Sequence, residues 1–147
     1  MGIAVAVGQV HLSVILNGVV FPQCDVVSVQ KLCKMSSKDS ILVVGRNASI
    51  PAESVSAFAV VLNSDNDINA EQWRGMSVIT CGISGRNTVS VTSKTPEKIT
   101  LSLNRSIHTL RGLCEPMELP VIRVDGIEDY DYMAAFAVSI LLGNTLS

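Results

Sequence analysis

Residues 79–93, ITCGISGRNTVSVTS, hold the point where the chain changes character. Before Gly82 lies an apolar run, SVITCG over 77–82, with the continuous hydrophobicity of a strand buried on both faces. After Asn87 apolar and polar residues alternate, as in a strand with one face on a core. Between the two, Gly82, Ile83, Ser84, Gly85 and Arg86 must turn the chain. A glycine-rich turn cradles phosphate when a helix follows and offers its first amides to the anion. Here a Thr/Val-rich strand follows. The turn is therefore expected to join two strands, with Arg86 as its one contact for an anion.

Upstream, ILVVG (41–45) and AFAVVLNSD (57–65) repeat the short, continuous apolar form of central parallel strands. IPAESVSA (50–57) reads as a loop. INAEQWRG (68–75) fits a short helix, with Asp67 or Asn69 near its start and Gly75 closing it. The spacing of Val26, Val29, Leu32 and Cys33 predicts another helix over 25–35, capped by Asp25. Residues 1–22 predict a β-hairpin region. Val10, Leu12, Val14 and Leu16 alternate with His11, Ser13 and Ile15, and Asn17-Gly18 tolerates the positive φ of a tight hairpin turn. Val19–Phe21 would return, and Pro22 would stop the strand.

Downstream, NTVSVTS, EKITLSLNR, IHTLRG and ELPVIRVDG read as a β-meander over 87–124. EDYDYMAAFAVSILLG (128–143) reads as a closing helix with its acids at the N-terminal end of the dipole. It is apolar on nearly every side and so should be buried. About a dozen apolar residues are too few to cross a bilayer core of roughly 30 Å.

The bulk numbers exclude several classes. The chain has 147 residues, enough for one domain with its own core. The hydrophobic fraction is 48%, an excess that a subunit interface or a sheet buried on both faces would each explain. Net charge is −2, without the basic surplus of a nucleic-acid binder. The positive residues from Arg86 to Arg123 alternate along expected strands, with no aromatic interleaving for base stacking. Cys24, Cys33, Cys81 and Cys114 form no C-x-x-C pair, and His11 and His108 lie far apart, so neither a metal site nor a cofactor is expected. The start, MGIAVAVG, lacks a secretory pattern, so a cytoplasmic protein with reduced thiols is expected, with no membrane partner. No catalytic constellation emerges. Glu115 and Glu118 flank Pro116 without catalytic spacing, and GISGR lacks the second glycine of a nucleophile elbow that would pair Ser84 with a base such as His108. Cys81, at a strand end beside a glycine, is the thiol to test first for reactivity.

The order of these elements carries a resemblance. LNSDN (62–66) stands where an Asn-Ala-Asp-Asp motif ends a strand in the central, ATP-binding domain of the Mur ligases, which join amino acids to UDP-N-acetylmuramic acid. Cys81-Gly82 stands where that domain has a Tyr-Gly or Phe-Gly pair, and MAAFA (133–137) where its helix has an Ala-rich pattern. Residues 57–143 thus resemble the second half of that domain. With Asn17-Gly18, LNRSIHTLRG (103–112) and EPMELP (115–120), the chain is closer still to short, stand-alone bacterial proteins of unknown function related to it. The resemblance implies a three-layer α/β sheet with parallel strands (41–82), a β-meander (87–124) and a buried C-terminal helix (128–143). It also implies a ligand site near Asn63, since the ligases' equivalent asparagine lies near the adenine.

The departures bear on function. A ligase needs a Walker A loop, G-x-x-x-x-G-K-[ST], and no glycine here is followed by Lys-Ser or Lys-Thr. The ligases' substrate-binding and amino-acid-binding domains do not fit this length. ATP-driven ligation is not expected. Two readings stay open. One is a non-catalytic binding or assembly module, forming a homo-oligomer. The other is a small-ligand or nucleotide-binding regulator with a residual pocket at Asn63, Asp65, Gly82, Ser84 and Arg86. In a third, structural, role Asn63, Asp65 and Asp67 would only turn the chain and cap the 68–75 helix.

Overall fold

The computed structural model describes residues 2–32, 34–50, 55–64, 73, 75–144 and 146. The fold is α/β. A mixed, mostly parallel sheet of eight strands packs against α1 (Asp129–Leu141), which lies at the C-terminal end and is the one α-helix among the described residues. In chain order the strands are β1 (Ala4–Val7), β2 (Val26–Val29), β3 (Met35–Ser36), β4 (Ile41–Val44), β5 (Val55–Ser56), β6 (Ala59–Asn63) and β7 (Ser77–Cys81). Then come β8 (Val89–Lys94), β9 (Lys98–Leu103), β10 (Ile107–Thr109), β11 (Gly112–Cys114) and β12 (Met117–Ile122). The main sheet runs β12-β9-β8-β7-β6-β4-β1-β2, and β3–β5 and β10–β11 form separate two-stranded pairs.

The three continuous apolar runs form strands as their composition demands. β4, β6 and β7 pair in parallel, with Ile41 opposite Ala59 and Ala59 opposite Ser77. Successive residues point to opposite faces, and both faces are dry. Ala4, Ala6, Ile41, Val43, Ala59 and Val61 join α1 in one core. Val5, Val7, Leu42, Val60 and Leu62 meet Leu32, Met35 and Trp73 in the other. A Val, Leu or Ile fully buried in this way stabilises the fold by roughly 1.5–3 kcal/mol.

Topology explains which segment covers which face. The chain steps from β1 out to β2, then reverses across β1 to β4 and onward to β6 and β7. Crossovers between parallel strands are right-handed, so a reversal of direction transfers them to the opposite face. Leu12, Ile15, Leu16 and Phe21, between β1 and β2, accordingly lie on the α1 side. Leu32, Met35, Ala48, Ile50, Val55 and Met76, from the later connections, lie on the other.

Two expectations fail. Residues 8–22 form no hairpin. The Leu16 N–H instead donates to the Leu12 carbonyl at 2.8 Å, a helical turn that buries Leu12, Ile15 and Leu16 together. The i, i+3, i+4 spacing of those three competes with the alternation of Val10, Leu12, Val14 and Leu16, and burial under α1 decides for it. Asn17-Gly18 is still a turn. Gly18 has φ +91, and the Asn17 side chain accepts from the Val19 N–H at 2.9 Å. His11 is an exposed residue of this segment and not part of a strand.

The helix over 25–35 is also absent. Val26–Val29 is strand β2, parallel to β1, and Met35–Ser36 is β3. Valines are stiff at χ1 and suit a pleated surface, and the free edge of β1 supplies the ladder that helical spacing cannot reveal. The expected helix over 68–75 falls largely outside the described residues, apart from buried Trp73 and from Gly75, which has φ +88.

The meander reading holds with one change. β8, β9 and β12 pair antiparallel in the main sheet, while IHTLRG folds onto Gly112–Cys114 as the separate β10–β11 hairpin. α1 is buried from Tyr130 to Leu141 as its composition predicts. No helix among the described residues is long and apolar enough to cross a membrane.

Candidate functional site at the carboxyl ends of the parallel strands

In open α/β sheets, ligands bind outside the carboxyl ends of the strands, above all where strand order reverses. In this fold that place lies between β1 and β4, and the loops leaving those strands meet there. The Gln9 N–H donates to the Arg46 carbonyl at 2.7 Å and the Arg46 N–H returns to the Gln9 carbonyl at 3.0 Å. Glycine permits the approach. A Cβ on Gly45 would lie 2.7 Å from the Gln9 carbonyl oxygen. One on Gly8, where φ is +81, would lie 2.8 Å from the Ala48 amide nitrogen.

The N-terminus of α1 closes the crevice from above. Asp131 is only 3% exposed, and its carboxylate accepts the His11 N–H at 3.0 Å and the Glu128 N–H at 3.1 Å. The positive end of the helix dipole supports that buried charge. Arg46 pairs with Glu128 at 3.3 Å, both side chains largely exposed, so the pair contributes little to stability. Tyr130 reaches down to donate to the Val44 carbonyl at 2.7 Å, with the Val61 carbonyl 3.3 Å away. Burial holds the Tyr130 hydroxyl well above the usual phenol range, with the neighbouring Cys81 and Asp131 acting in the same direction. What remains open is a cleft of about 80 Å³ lined by Gln9, His11, Arg46, Gly126, Glu128 and Asp131. Pockets for drug-sized ligands run to roughly 300–1,000 Å³, so this one suits a water or a very small polar group.

Two strands along, Asn63 ends β6 directly opposite Cys81, which ends β7. Gly82 is buried, and a Cβ there would fall on Ser64 Oγ and lie 2.6 Å from Asn87 Nδ2. The structure therefore brings Asn63 beside the Gly82 turn. Ser84 and Arg86 are exposed and serve the turn itself: the Arg86 N–H donates to Ser84 Oγ at 3.3 Å, and Asn87 Nδ2 donates to the Ser84 carbonyl at 3.0 Å. Asp65 and Asp67 lie outside the described residues. The turn joins two strands, as expected, and β8 meets β7 only at Val89–Cys81. Thr80 and Thr88 extend that short contact, each accepting the other's backbone N–H at 3.2–3.3 Å.

Arg105 was not singled out by its sequence. Its guanidinium donates to the Arg86 carbonyl, which places a second cation against the turn. Nearby, Asn104 donates to the Asn87 carbonyl at 3.0 Å and to Ser90 Oγ at 2.9 Å. The Arg-Asn pair at 86–87 and the Asn-Arg pair at 104–105 are the only sequence trace of this contact, and they lie 18 residues apart. Cys81 proves a poor nucleophile. It is fully buried, and burial pushes its thiol far above the usual range. Among the described residues no group of three or more His, Cys, Asp or Glu is placed to hold a metal ion. No model of a protein family matches the chain, and neither does any curated protein or solved structure.

Proposed function

We propose that this chain is a non-catalytic assembly module on a Mur-ligase-like, three-layer central-domain scaffold, and that it acts by associating with further copies of itself. The observation that carries the reading is an apolar groove of about 480 Å³ between Gly18–Pro22 and edge strand β12, rimmed by Val19 at 86% and Ile122 at 69% exposure. Exposed apolar surface of this kind gains free energy when a partner covers it. The scaffold reading is supported by element order. Parallel strands ending in Asn63 and Cys81-Gly82 lead into the β8–β9–β12 meander and a buried Met133-Ala134-Ala135 helix.

The edge of β12 shapes the contact. The Arg123 N–H donates to the Glu97 carbonyl just beyond the β9–β12 ladder. Bonded pairs alternate along an antiparallel ladder, so Pro120, opposite Thr100, turns its nitrogen to the free edge. A proline there offers no N–H to an added strand. Copies would therefore meet side chain to side chain over the groove, in a closed symmetric contact, without extending the sheet. Light scattering on the size-exclusion eluate is expected to show a dimer or larger species that dissociates on dilution. Val19→Lys and Ile122→Lys should shift it to monomer while the fold is retained. A wild-type monomer at every concentration overturns the reading.

The paired cations Arg86 and Arg105 favour a second reading, an anionic small-molecule or nucleotide regulator bound at Asn63, Asp65, Gly82, Ser84 and Arg86. Ligand binding to the native state must raise its stability. A nucleotide or UDP-sugar that raises Tm in wild type but not in Arg86→Gln supports this reading. No shift with any of them rejects it.

A further inference from the structure

The parallel strands have a second end, with a larger cavity than the cleft at the switch point. At their amino ends lies a cavity of about 470 Å³ lined by Gly2, Gln23, Cys24, Asp25, Asp39, Leu110, Arg111, Leu142 and Asn144. We propose that this cavity binds a small zwitterion, a molecule carrying an ammonium and a carboxylate group. The proposal does not depend on the assembly reading, which concerns the groove beside β12.

The walls are fixed by backbone contacts. Gly2 leads into β1 so tightly that a Cβ there would fall on the Asp39 carbonyl oxygen and the Leu142 side chain. Opposite, the Leu110 N–H donates to the Leu141 carbonyl at 2.8 Å, anchoring the β10–β11 turn to the end of α1. The aliphatic stem of Arg111 lies across Gly143, where an added Cβ would come within 2.6 Å of Cδ and 2.8 Å of Cβ. Gly143 has φ +83, and that backbone brings the chain under the arginine.

The lining carries charges of both signs. Asp25 immediately precedes β2 and Asp39 lies just before β4, and these two exposed acidic residues line the cavity at the strand starts. α1 ends at the same place, and its last turn has no basic residue of its own. Together these favour an ammonium. Among the described residues no three-ligand metal group occurs, which favours the ammonium over a metal ion. Arg111 supplies the one guanidinium, suited to a carboxylate. Among the described residues no ion pair joins Arg111 to Asp25 or Asp39, so each charge is open to a ligand. Leu110 and Leu142 add apolar lining. The size falls within the range of small-molecule sites.

The test is an amide NMR titration of the full chain with a pool of the common amino acids, followed by L-leucine, leucinamide and N-acetyl-leucine singly. Selective shifts at Gly2, Cys24, Asp25, Asp39, Arg111 and Asn144 are expected with the pool. Each analogue lacking one charge should bind about tenfold or more weakly than its parent, since charge-assisted hydrogen bonds are lost. Arg111→Gln retains the three carbons that rest on Gly143, and Asp39→Asn is isosteric, so both should keep the wild-type spectrum while losing about tenfold in affinity. The proposal is overturned if the pool leaves these residues unmoved, if shifts map to the Gly82–Asn87 turn instead, or if the one-charge analogues or the two variants bind as well as the parents.

Discussion

The two ends of the parallel sheet are built from the same strands and differ in how their loops use space. At the carboxyl end the loops leaving β1 and β4 touch backbone to backbone. Gly8, Gly45 and Gly82 each sit where a Cβ would meet a neighbour, and the cleft left at the switch point is about 80 Å³. At the amino end the boundaries include side chains on three elements, and about 470 Å³ stays open. Topology marks the carboxyl end as the place for a ligand. The difference teaches that topology only nominates an end. The way the loops and side chains pack decides whether any volume remains there, and function follows the site that is left.

The hardest blow to this contrast would come from the carboxyl end proving soft. Gly8→Ala tests it most severely. The residue has φ +81, and the new Cβ would press on the Arg46 carbonyl oxygen and lie 2.9 Å from Ala48 Cα, all backbone atoms that cannot rotate away. Left-handed strain and overpacking together should cost about 3 kcal/mol or more, read as a lower urea midpoint with unchanged slope. A loss below about 1 kcal/mol would mean that the loops separate easily and that the crevice can open. Gly82→Ala follows at about 2 kcal/mol. Its obstacles are the side chains of Ser64 and Asn87, and Ser64 can turn aside more readily than a carbonyl can.

The same distinction between side chain and backbone governs how much of the molecule was legible. The runs ILVVG, VVLN and SVITC announced strands because burial on both faces leaves no room for polar residues. The closing helix announced itself through a long apolar stretch with acids at its start and Gly143 at its end. Residues 8–22 and 25–35 misled because short apolar segments satisfy two periods at once. Leu12 and Leu16 fit either, whereas Val26 and Val29, three apart, fit the helical period yet face the two opposite cores from β2; tertiary neighbours made the choice. At the turn, Gly82–Arg86 was legible as a link between strands because no helix follows it. Arg105 was not, since it reaches the turn through a contact between distant segments. The amino-end cavity was wholly hidden: Asp25, Asp39 and Arg111 share no motif, and only the ends of β2, β4 and α1 bring them together.

A smaller effect comes from protonation at the closed end. The Cys81 thiol is fully buried and held neutral far above its usual range, with Tyr130 shifted the same way by burial. A raised pKa means that the folded state keeps its proton while the unfolded chain ionises. This contribution to stability is complete below the ordinary thiol value, about 8.5, and is lost as pH rises above it. The slope from Cys81 alone should approach about 1.4 kcal/mol per pH unit, and Cys81→Ala should remove that part of the alkaline decline. An identical decline in wild type and Cys81→Ala would show that this end admits water. In native protein, a thiol reagent should modify the partly buried Cys24 and Cys114 before Cys81.

The finest test lies within the turn itself, three residues from Gly82. Gly85 belongs to the same GISGR stretch, yet a Cβ there meets nothing within 4 Å, and its φ lies outside the left-handed region. Composition makes the two glycines equivalent, and the structure gives them opposite roles. Gly82 is glycine because Ser64 and Asn87 fill the space. At Gly85 neither crowding nor a left-handed φ demands one. Alanine at Gly85 reduces the freedom of the unfolded chain without straining the native one, so Gly85→Ala should stabilise the protein by about 0.4–1 kcal/mol. The sign is the measurement: a modest rise in the urea midpoint for Gly85→Ala beside a clear fall for Gly82→Ala. If both fall together, the turn is constrained along its whole length, as a ligand-holding loop would be, and the carboxyl end regains its claim to a site.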